Sequence, residues 1–537
     1  MSPKNRKQRR AGQKDLPPLP LLEQAMVAAY KAEKYEQAFN ICCDCILRAP
    51  DNDLYKLRLS QFAPEIKNSS FHPDLKRVLL ACLKSKALDH QKFAGLWIAF
   101  LQKDPLHQAL MNISEDMAPD SVLWRNLQSS LQDEFLLEGL KKLTLPNRKI
   151  ENIFKNLRRL FLGWYQKGEI LKTKHLPALS ALSAHCFFNE YLFDETEEEK
   201  QIIEDLQKAG RTPLHLALLH CYRAPDETDP PPDIPSIGHI KDKTSEKVRA
   251  MYEENPYPRW QSVDLPPSPQ KGIEGTWLIA GCGTGRPALQ AALMFPDIHF
   301  TAIDLSLASL AYAKKKAGEY GADNLEFMHC DILDLDQIEK TFDIIECSGV
   351  LHHMQNPEEG WKHLIRRLSP GGRMNIGLYS LAARESVQAA RKYAAEKGYP
   401  ATTEGIRAFR QDIFALPDTH PAKAVSARRD FYTLSECRDL VFHVQEKNYT
   451  LPELSETLKK LGLSFLGFST NTPKITRLYK KTYPEDPQMA NLSNWQALEK
   501  EYSGLFIGMY QFLCCRESEI KSPCLPFEKI EKSLFFK

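Results

Sequence analysis

The sequence predicts an α/β protein: a half in which strands and helices alternate, preceded by an all-helical half. Three observations predict it. In Thr276-Trp-Leu-Ile-Ala-Gly-Cys-Gly-Thr-Gly285, four apolar residues run straight into glycines at alternate positions, and a helix-forming stretch begins at Pro287. Further strand-like runs follow at His299–Asp304, Asn324–Ile332, Phe342–Ser348 and Leu368–Leu378. Before residue 222, strand-type alternation is scarce. Apolar residues recur there at helical spacing, as in Leu75–Leu83, Phe93–Leu101 and Ile153–Leu162.

The chain has 537 residues, enough for two or three domains, with 43% apolar and 26% charged residues, as in soluble globular proteins. A net charge of +2 gives no bulk attraction to nucleic acid or to an anionic membrane, and no run of apolar residues is long enough to span a bilayer. The first 15 residues, with Lys4, Arg6, Lys7, Arg9 and Arg10, read as a disordered basic tail without the apolar core of a secretory signal. With 13 cysteines and no such signal, a reducing, cytoplasmic setting is expected. Cys42, Cys43 and Cys45 contain a C-x-x-C spacing, but a structural zinc site needs a second pair of ligands, so buried helix thiols are expected and no metal.

Residues 16–223 form the expected helical domain. Within it, Leu21–Tyr30 and Lys34–Asn52 read as two helices, with Tyr35, Ala38, Phe39, Ile46, Leu47 and Pro50 at the marker positions of the second. This pair resembles a tetratricopeptide repeat. The resemblance implies a solenoid able to bind a protein or peptide partner. The acidic run Glu195–Lys200 reads as a solvated helix start. Residues 224–265 are expected to hold a proline-rich linker, Ala224–Ser236, then a short helix and the aromatic segment Met251–Trp260.

The glycine spacing narrows the ligand. A dinucleotide fold uses G-x-G-x-x-G, but the third position here is Arg286 and the pattern is G-x-G-x-G. No P-loop is present. Asp304 stands 19 residues after Gly285, where an acid grips ribose hydroxyls in such folds. Taken with the four runs in order, motif and spacing resemble the class I S-adenosylmethionine-dependent methyltransferases. The resemblance implies a Rossmann-like, seven-stranded sheet with its core in 266–380. It also implies S-adenosyl-L-methionine as cofactor, with Gly281, Cys282, Gly283, Gly285, Asp304, Leu305, Asp331, Ile332, Cys347 and Ser348 around it. Asp331 and Ile332 take the places that meet the adenine. Related enzymes fold an aromatic segment over the cofactor, and Tyr257, Arg259 and Trp260 are expected to do so here. One departure stands out: where the family carries an acid two residues before the first glycine, this chain has Ile279.

After Ser380 a mostly helical insertion, 381–430, is expected as a cap over the substrate pocket. Residues 431–537 then complete the fold. Asp430–Glu446 reads as a helix with a polar patch, His443 and Glu446, expected to meet substrate. Thr450 with Glu453 three residues on predicts a capping box. Leu463–Phe468 and Leu505–Cys514 read as the sixth and seventh strands.

Methyl transfer from a sulfonium needs alignment above all, and a base only where the acceptor must lose a proton early. Candidate catalytic bases are His352 and His353 after the fourth strand, with Tyr379 as a further candidate. The expected function is methyl transfer to an acceptor, a protein recognised by the helical domain or a small molecule. The alternative is an inactive scaffold that binds the cofactor and works through its helices.

Overall fold

The computed structural model describes residues 17–66, 73–114, 122–167, 173–208, 212–225, 233–469, 473–502, 504–506 and 508–521. The basic stretch 1–15, Cys524 and much of the proline-rich stretch lie outside them. The chain divides into two units: 1–226 with 261–267, and 227–260 with 268–537. Among the described residues no helix is long and apolar enough to cross a membrane.

The first unit is all helical. It opens with the expected pair, Leu19–Lys31 and Tyr35–Arg48, which bury Met26, Ala38, Phe39, Cys42 and Cys45 between them and their neighbours. The pair is not repeated with a regular period: later helices range from 4 residues (Gln108–Met111) to 19 (Arg148–Gln166). The acidic run starts a helix with Glu197 and Glu198 exposed, as expected, but not all of it is solvated. Its helix begins at Glu197, and Glu199 is buried while Glu195 pairs with Arg223 at 2.9 Å. The segment 261–267, expected with the aromatic segment, packs into this unit instead. The Ser262 hydroxyl meets His90 Nδ1 at 3.0 Å, and the Leu265 N–H donates to the Ala87 carbonyl at 2.9 Å.

The second unit is built on a sheet of eight strands among the described residues, one more than expected: β1 (Ser236–Ile237), β2 (Gly275–Ala280), β3 (Ile298–Asp304), β4 (Leu325–Cys330), β5 (Phe342–Ser348), β6 (Leu368–Tyr379), β7 (Leu463–Phe468) and β8 (Met509–Arg516). Their order is β1-β4-β3-β2-β5-β6-β8-β7, with β8 antiparallel to both neighbours and all other pairs parallel. The extra strand is the end of the proline-rich stretch. Ser236 and Ile237 lie along the edge of β4, and the Pro235 carbonyl accepts from the His329 N–H. A proline there removes no ladder donor, because its carbonyl does the pairing. The last strand starts at 509 and not 505, since Gly504 and Gly508 take positive φ of 88° and 87° and break the extended run.

The chain leaves β2 for β3 on one side and later fills β5 on the other. The strand order therefore reverses beside β2, where open α/β sheets bind ligands at the carboxyl ends of their strands. Above this end lies the cap: helices Glu385–Lys397, Thr403–Ala415 and Leu434–Phe442. The third was expected to reach Glu446 and to belong to the closing part of the fold. It stops at Phe442, where His443 leaves helical geometry at ψ 134°, and it packs into the cap through Phe442 on Phe409, 5.2 Å between ring centres. Phe414, Phe431 and Tyr432 surround the Arg410 guanidinium, whose Nε donates to the Phe431 carbonyl at 2.8 Å, and Phe409 packs against Phe431. Each buried ring contributes roughly 1.5–3 kcal/mol, which holds the cap as one body. The Thr450–Glu453 capping box is formed as its spacing predicts.

Candidate functional site

The glycine turn is fixed by backbone hydrogen bonds to β3. The Gly281 and Cys282 N–H groups both donate to the Ile303 carbonyl, at 2.8 and 3.0 Å. Two of its glycines are forced by close neighbours as well as by positive φ. A Cβ on Gly283 would come within 2.8 Å of the Tyr257 carbonyl oxygen, and one on Gly285 within 2.5 Å of Ala313 Cβ. The turn is thus a bare cradle leading to the helix Arg286–Met294.

Asp304 closes the cradle. Its Oδ2 accepts from the Gly283 N–H at 2.8 Å and its Oδ1 from the Ser306 N–H at 2.9 Å. Burial pushes this carboxyl above its ordinary range, opposed by the backbone N–H groups of Ser306, Gly283 and Leu305. Each oxygen keeps a lone pair for a ligand. Leu305 follows it, and its carbonyl accepts from His329 Nε2 at 3.0 Å. Asp331 is buried and caps the turn Ile332–Gln337 by accepting from the Leu333 N–H at 3.0 Å, with Ile332 buried beside it. Burial also raises its carboxyl, against the Leu333 N–H and the Ser245 hydroxyl.

The aromatic segment docks on the cradle, and its residues divide. The Tyr257 backbone lies against Gly283, and the Thr284 hydroxyl donates to the Pro258 carbonyl. Tyr257 stacks on Tyr252, 5.9 Å between ring centres. Trp260 ties the back of the glycine turn to the helix that follows β3. Its indole N–H donates to the Thr284 carbonyl at 2.9 Å, and its ring packs against Tyr312 and Tyr320 of the helix Leu307–Tyr320. It clasps structure together where a cover for the cofactor was expected. The Arg259 charge acts on Tyr312 of the same helix. The helix Lys243–Glu254 is tied down too: Glu253 accepts from the Leu307 and Ala308 N–H groups at 2.6 and 3.1 Å, an anion at a helix start.

On β5, Cys347 and Ser348 do not act alike. Cys347 is fully buried in the apolar core with Leu278, Ile345 and Ile376, so its side chain does not line the cradle. Ser348 Oγ accepts from Gln511 Nε2 at 3.4 Å. Cys282 is also buried, and burial pushes its thiol well up.

Under the cap the second half of the site is polar and packed. The Tyr379 ring is held between His352, 3.9 Å between ring centres, and the Arg384 guanidinium, 3.7 Å from its centre. Burial pushes the Tyr379 hydroxyl up, which removes it as a base. His353 and His443 stack at 3.6 Å between ring centres. The backbone at Gln445 sets both tautomers: His353 Nδ1 donates to its carbonyl at 2.7 Å, and its N–H donates to His443 Nδ1 at 3.2 Å. His353 therefore keeps its Nε2 lone pair, while the buried His443 Nε2 carries a hydrogen with no acceptor. Burial lowers the pKa of His352, His353 and His443, so all three rest neutral. Glu446 is committed elsewhere, to Arg384 at 2.6 and 2.9 Å, which leaves it little for a substrate.

Two residues of the site escaped sequence reasoning. Asp439 stands beside His353 and His443, with its Oδ1 accepting from the Tyr252 hydroxyl at 2.6 Å. Glu346 lies on β5 opposite Ile279. An acid inside an apolar strand or helix was the available signal for both Glu346 and Asp439. The side-chain atoms of His353, Asp439 and His443 lie within 4.8 Å of one another, the spacing of a metal site. The chemistry does not fit an ion: the two rings lie nearly parallel, 25° apart, and His443 Nε2 is protonated.

Residues 275–408 match a family described as a methyltransferase domain. An uncharacterized protein of Synechococcus is 29% identical over 48% of this chain and 68% of its own length. The demethylmenaquinone methyltransferase of Clavibacter sepedonicus is 35% identical over 19% of this chain and 40% of its own length. The chain therefore spans less than half of that enzyme. The structure of PKMT2 from Rickettsia typhi in complex with AdoHcy is 18% identical, with 54% of this chain and 55% of that one covered and a TM-score of 0.36.

Proposed function

We propose that residues 275–408, which match a family described as a methyltransferase domain, form a class I S-adenosylmethionine-dependent methyltransferase, and that this chain methylates an acceptor held beneath the cap, with His353 taking the acceptor's proton. The residues present fit the donor: a cradle of glycines that no Cβ can enter, Asp304 with lone pairs to spare for ribose hydroxyls, and Asp331 with Ile332 at the place of the adenine. The donor supplies a methyl group already activated by the sulfonium charge. The protein's work is to align a nucleophile, exclude water and accept a proton.

The observation that carries the reading is the setting of His353. Its Nδ1–H is spent on the Gln445 carbonyl, so the neutral ring offers Nε2 as its single basic atom. Asp439 stands near enough to stabilise the charge that forms when that atom is protonated. Tyr252 and His443 complete a polar wall able to hold an O–H or N–H acceptor. A protein acceptor is the favoured class, because the helical unit opens with a helix pair like those that hold peptides.

Incubation with methyl-labelled donor and fractionated lysate tests this. Label is expected in the protein fraction. His353→Asn should cut the rate by on the order of 10²–10⁴ while leaving donor affinity, read by calorimetry, unchanged. Equal rates for both chains remove His353 from the chemistry. Donor binding without labelling of any fraction favours the scaffold reading.

A further inference from the structure

Beside the point where the strand order reverses, β2 and β5 run next to each other with Ile279 opposite Glu346. Paired residues on neighbouring strands project to one face, and the strands lie about 4.8 Å apart. Glu346 thus stands one strand away from the position where this chain lacks an acid, on the same face and one turn below the glycine cradle. Among the described residues no hydrogen bond or ion pair reaches its carboxylate. Desolvation is the single influence on it, and pushes its pKa up to about 7. Asp304, part-buried like Glu346, and Asp331, buried, each accept backbone N–H groups. Further along the row, Asn375 lies opposite Glu346 on β6 and takes the Ser469 hydroxyl at 3.2 Å, while Ser348 takes Gln511. These neighbours are neutral. Glu346 keeps some exposure to water, but a carboxylate drawn largely out of water without a partner is costly unless a cation comes to it.

We propose that Glu346 receives the α-ammonium of S-adenosylmethionine, supplying from β5 the anion that Ile279 does not supply from β2. This rests on the donor assignment made above. The donor has two cationic centres, and the ammonium is the suitable one. A carboxylate oxygen held in line behind the sulfonium methyl would itself take that methyl as an ester. The ammonium offers hydrogen-bond donors and nothing to transfer.

Calorimetry with three ligands tests it on the full chain: S-adenosylmethionine, S-adenosylhomocysteine, which keeps the ammonium but has no sulfonium, and 5′-methylthioadenosine, which lacks the amino-acid part. Glu346→Gln should weaken the first two by at least about tenfold and the third by no more than about twofold. A loss confined to S-adenosylmethionine would place Glu346 at the sulfonium and overturn the proposal. Equal losses for all three, or no loss, would overturn it too. An unaltered chain that binds none of the three refutes the donor assignment itself, and the proposal with it.

Discussion

Two carboxylates, one in each unit of this chain, are held on opposite terms: Glu199 in the helical unit and Glu346 in the sheet unit. In the helical unit Glu199 is enclosed by partners: the Thr196 N–H at 2.8 Å, Arg159 Nε at 3.3 Å and the Tyr222 hydroxyl at 3.2 Å, with Arg158 at 3.8 Å. Arg158, itself fully buried, donates to the Asp194 carbonyl at 2.7 Å and lies 4.0 Å from the Tyr222 ring centre. In the sheet unit Glu346 has no such company, and Asp304 stands between the two, held by two backbone N–H groups with capacity left over. A charge that serves the fold comes with its counter-charges. A charge that serves a ligand is left partly or wholly unsatisfied, because the ligand completes it.

The largest effect that tests this contrast lies at Glu199. Glu199→Leu takes the counter-charge from the buried Arg158, while Arg159 keeps Asp194 at 3.1 Å, and should destabilise the helical unit by about 3 kcal/mol, the lower end for a broken buried pair. A shift in the denaturant midpoint measures it, and a change under about 1 kcal/mol would mean the cluster is not structural. Next comes Asp304→Ala. It removes the carboxylate proposed to hold the ribose and frees the Gly283 N–H, so S-adenosylmethionine should bind more than tenfold more weakly by calorimetry. Unchanged affinity would move the donor away from the glycine cradle.

The same division governs what could be read from the chain. The donor side was legible because its chemistry is local: the glycines, Asp304 and Asp331 sit at the ends of strands with fixed spacing, and apolar periodicity marks those strands. The proposed acceptor side was legible only in part, with His353 and His443 as candidates, because it is assembled across distance. Tyr252, His353, Asp439 and His443 meet only when the cap folds back, and nothing in the spacing of 252, 353 and 439 signals that. Trp260 and Glu446 were expected at a ligand for a related reason. Each carries a chemistry suited to a ligand, but tertiary partners, the Thr284 carbonyl and Arg384, had already taken it. The eighth strand was hidden by the prolines around it, since pairing through a proline carbonyl leaves no mark in an alternation pattern.

The smallest expected effect is the one that most sharpens the contrast. Glu346 has a folded pKa near 7, raised from an ordinary value near 4.5, so the folded chain binds more protons there than the unfolded chain between those limits. The sign follows. Below about pH 4.5 both states are protonated and nothing is lost; as pH rises through about 7 the folded state must bear an unpaired buried charge, and stability falls. The neighbouring histidines act the other way: their pKa values are lowered, so they cost stability as pH falls below about 6.5. The raw melting profile mixes the two, but the difference between the native chain and Glu346→Gln does not. That difference should favour the variant by on the order of 1 kcal/mol at about pH 7.5 and shrink toward zero near pH 5, discounted because the carboxylate is partly open to water. Saturating S-adenosylhomocysteine should reverse it, since the ligand pairs with the carboxylate and the amide cannot match that. A variant that is less stable at every pH without ligand would make Glu346 a structural charge like Glu199, and the distinction between the two units would fail.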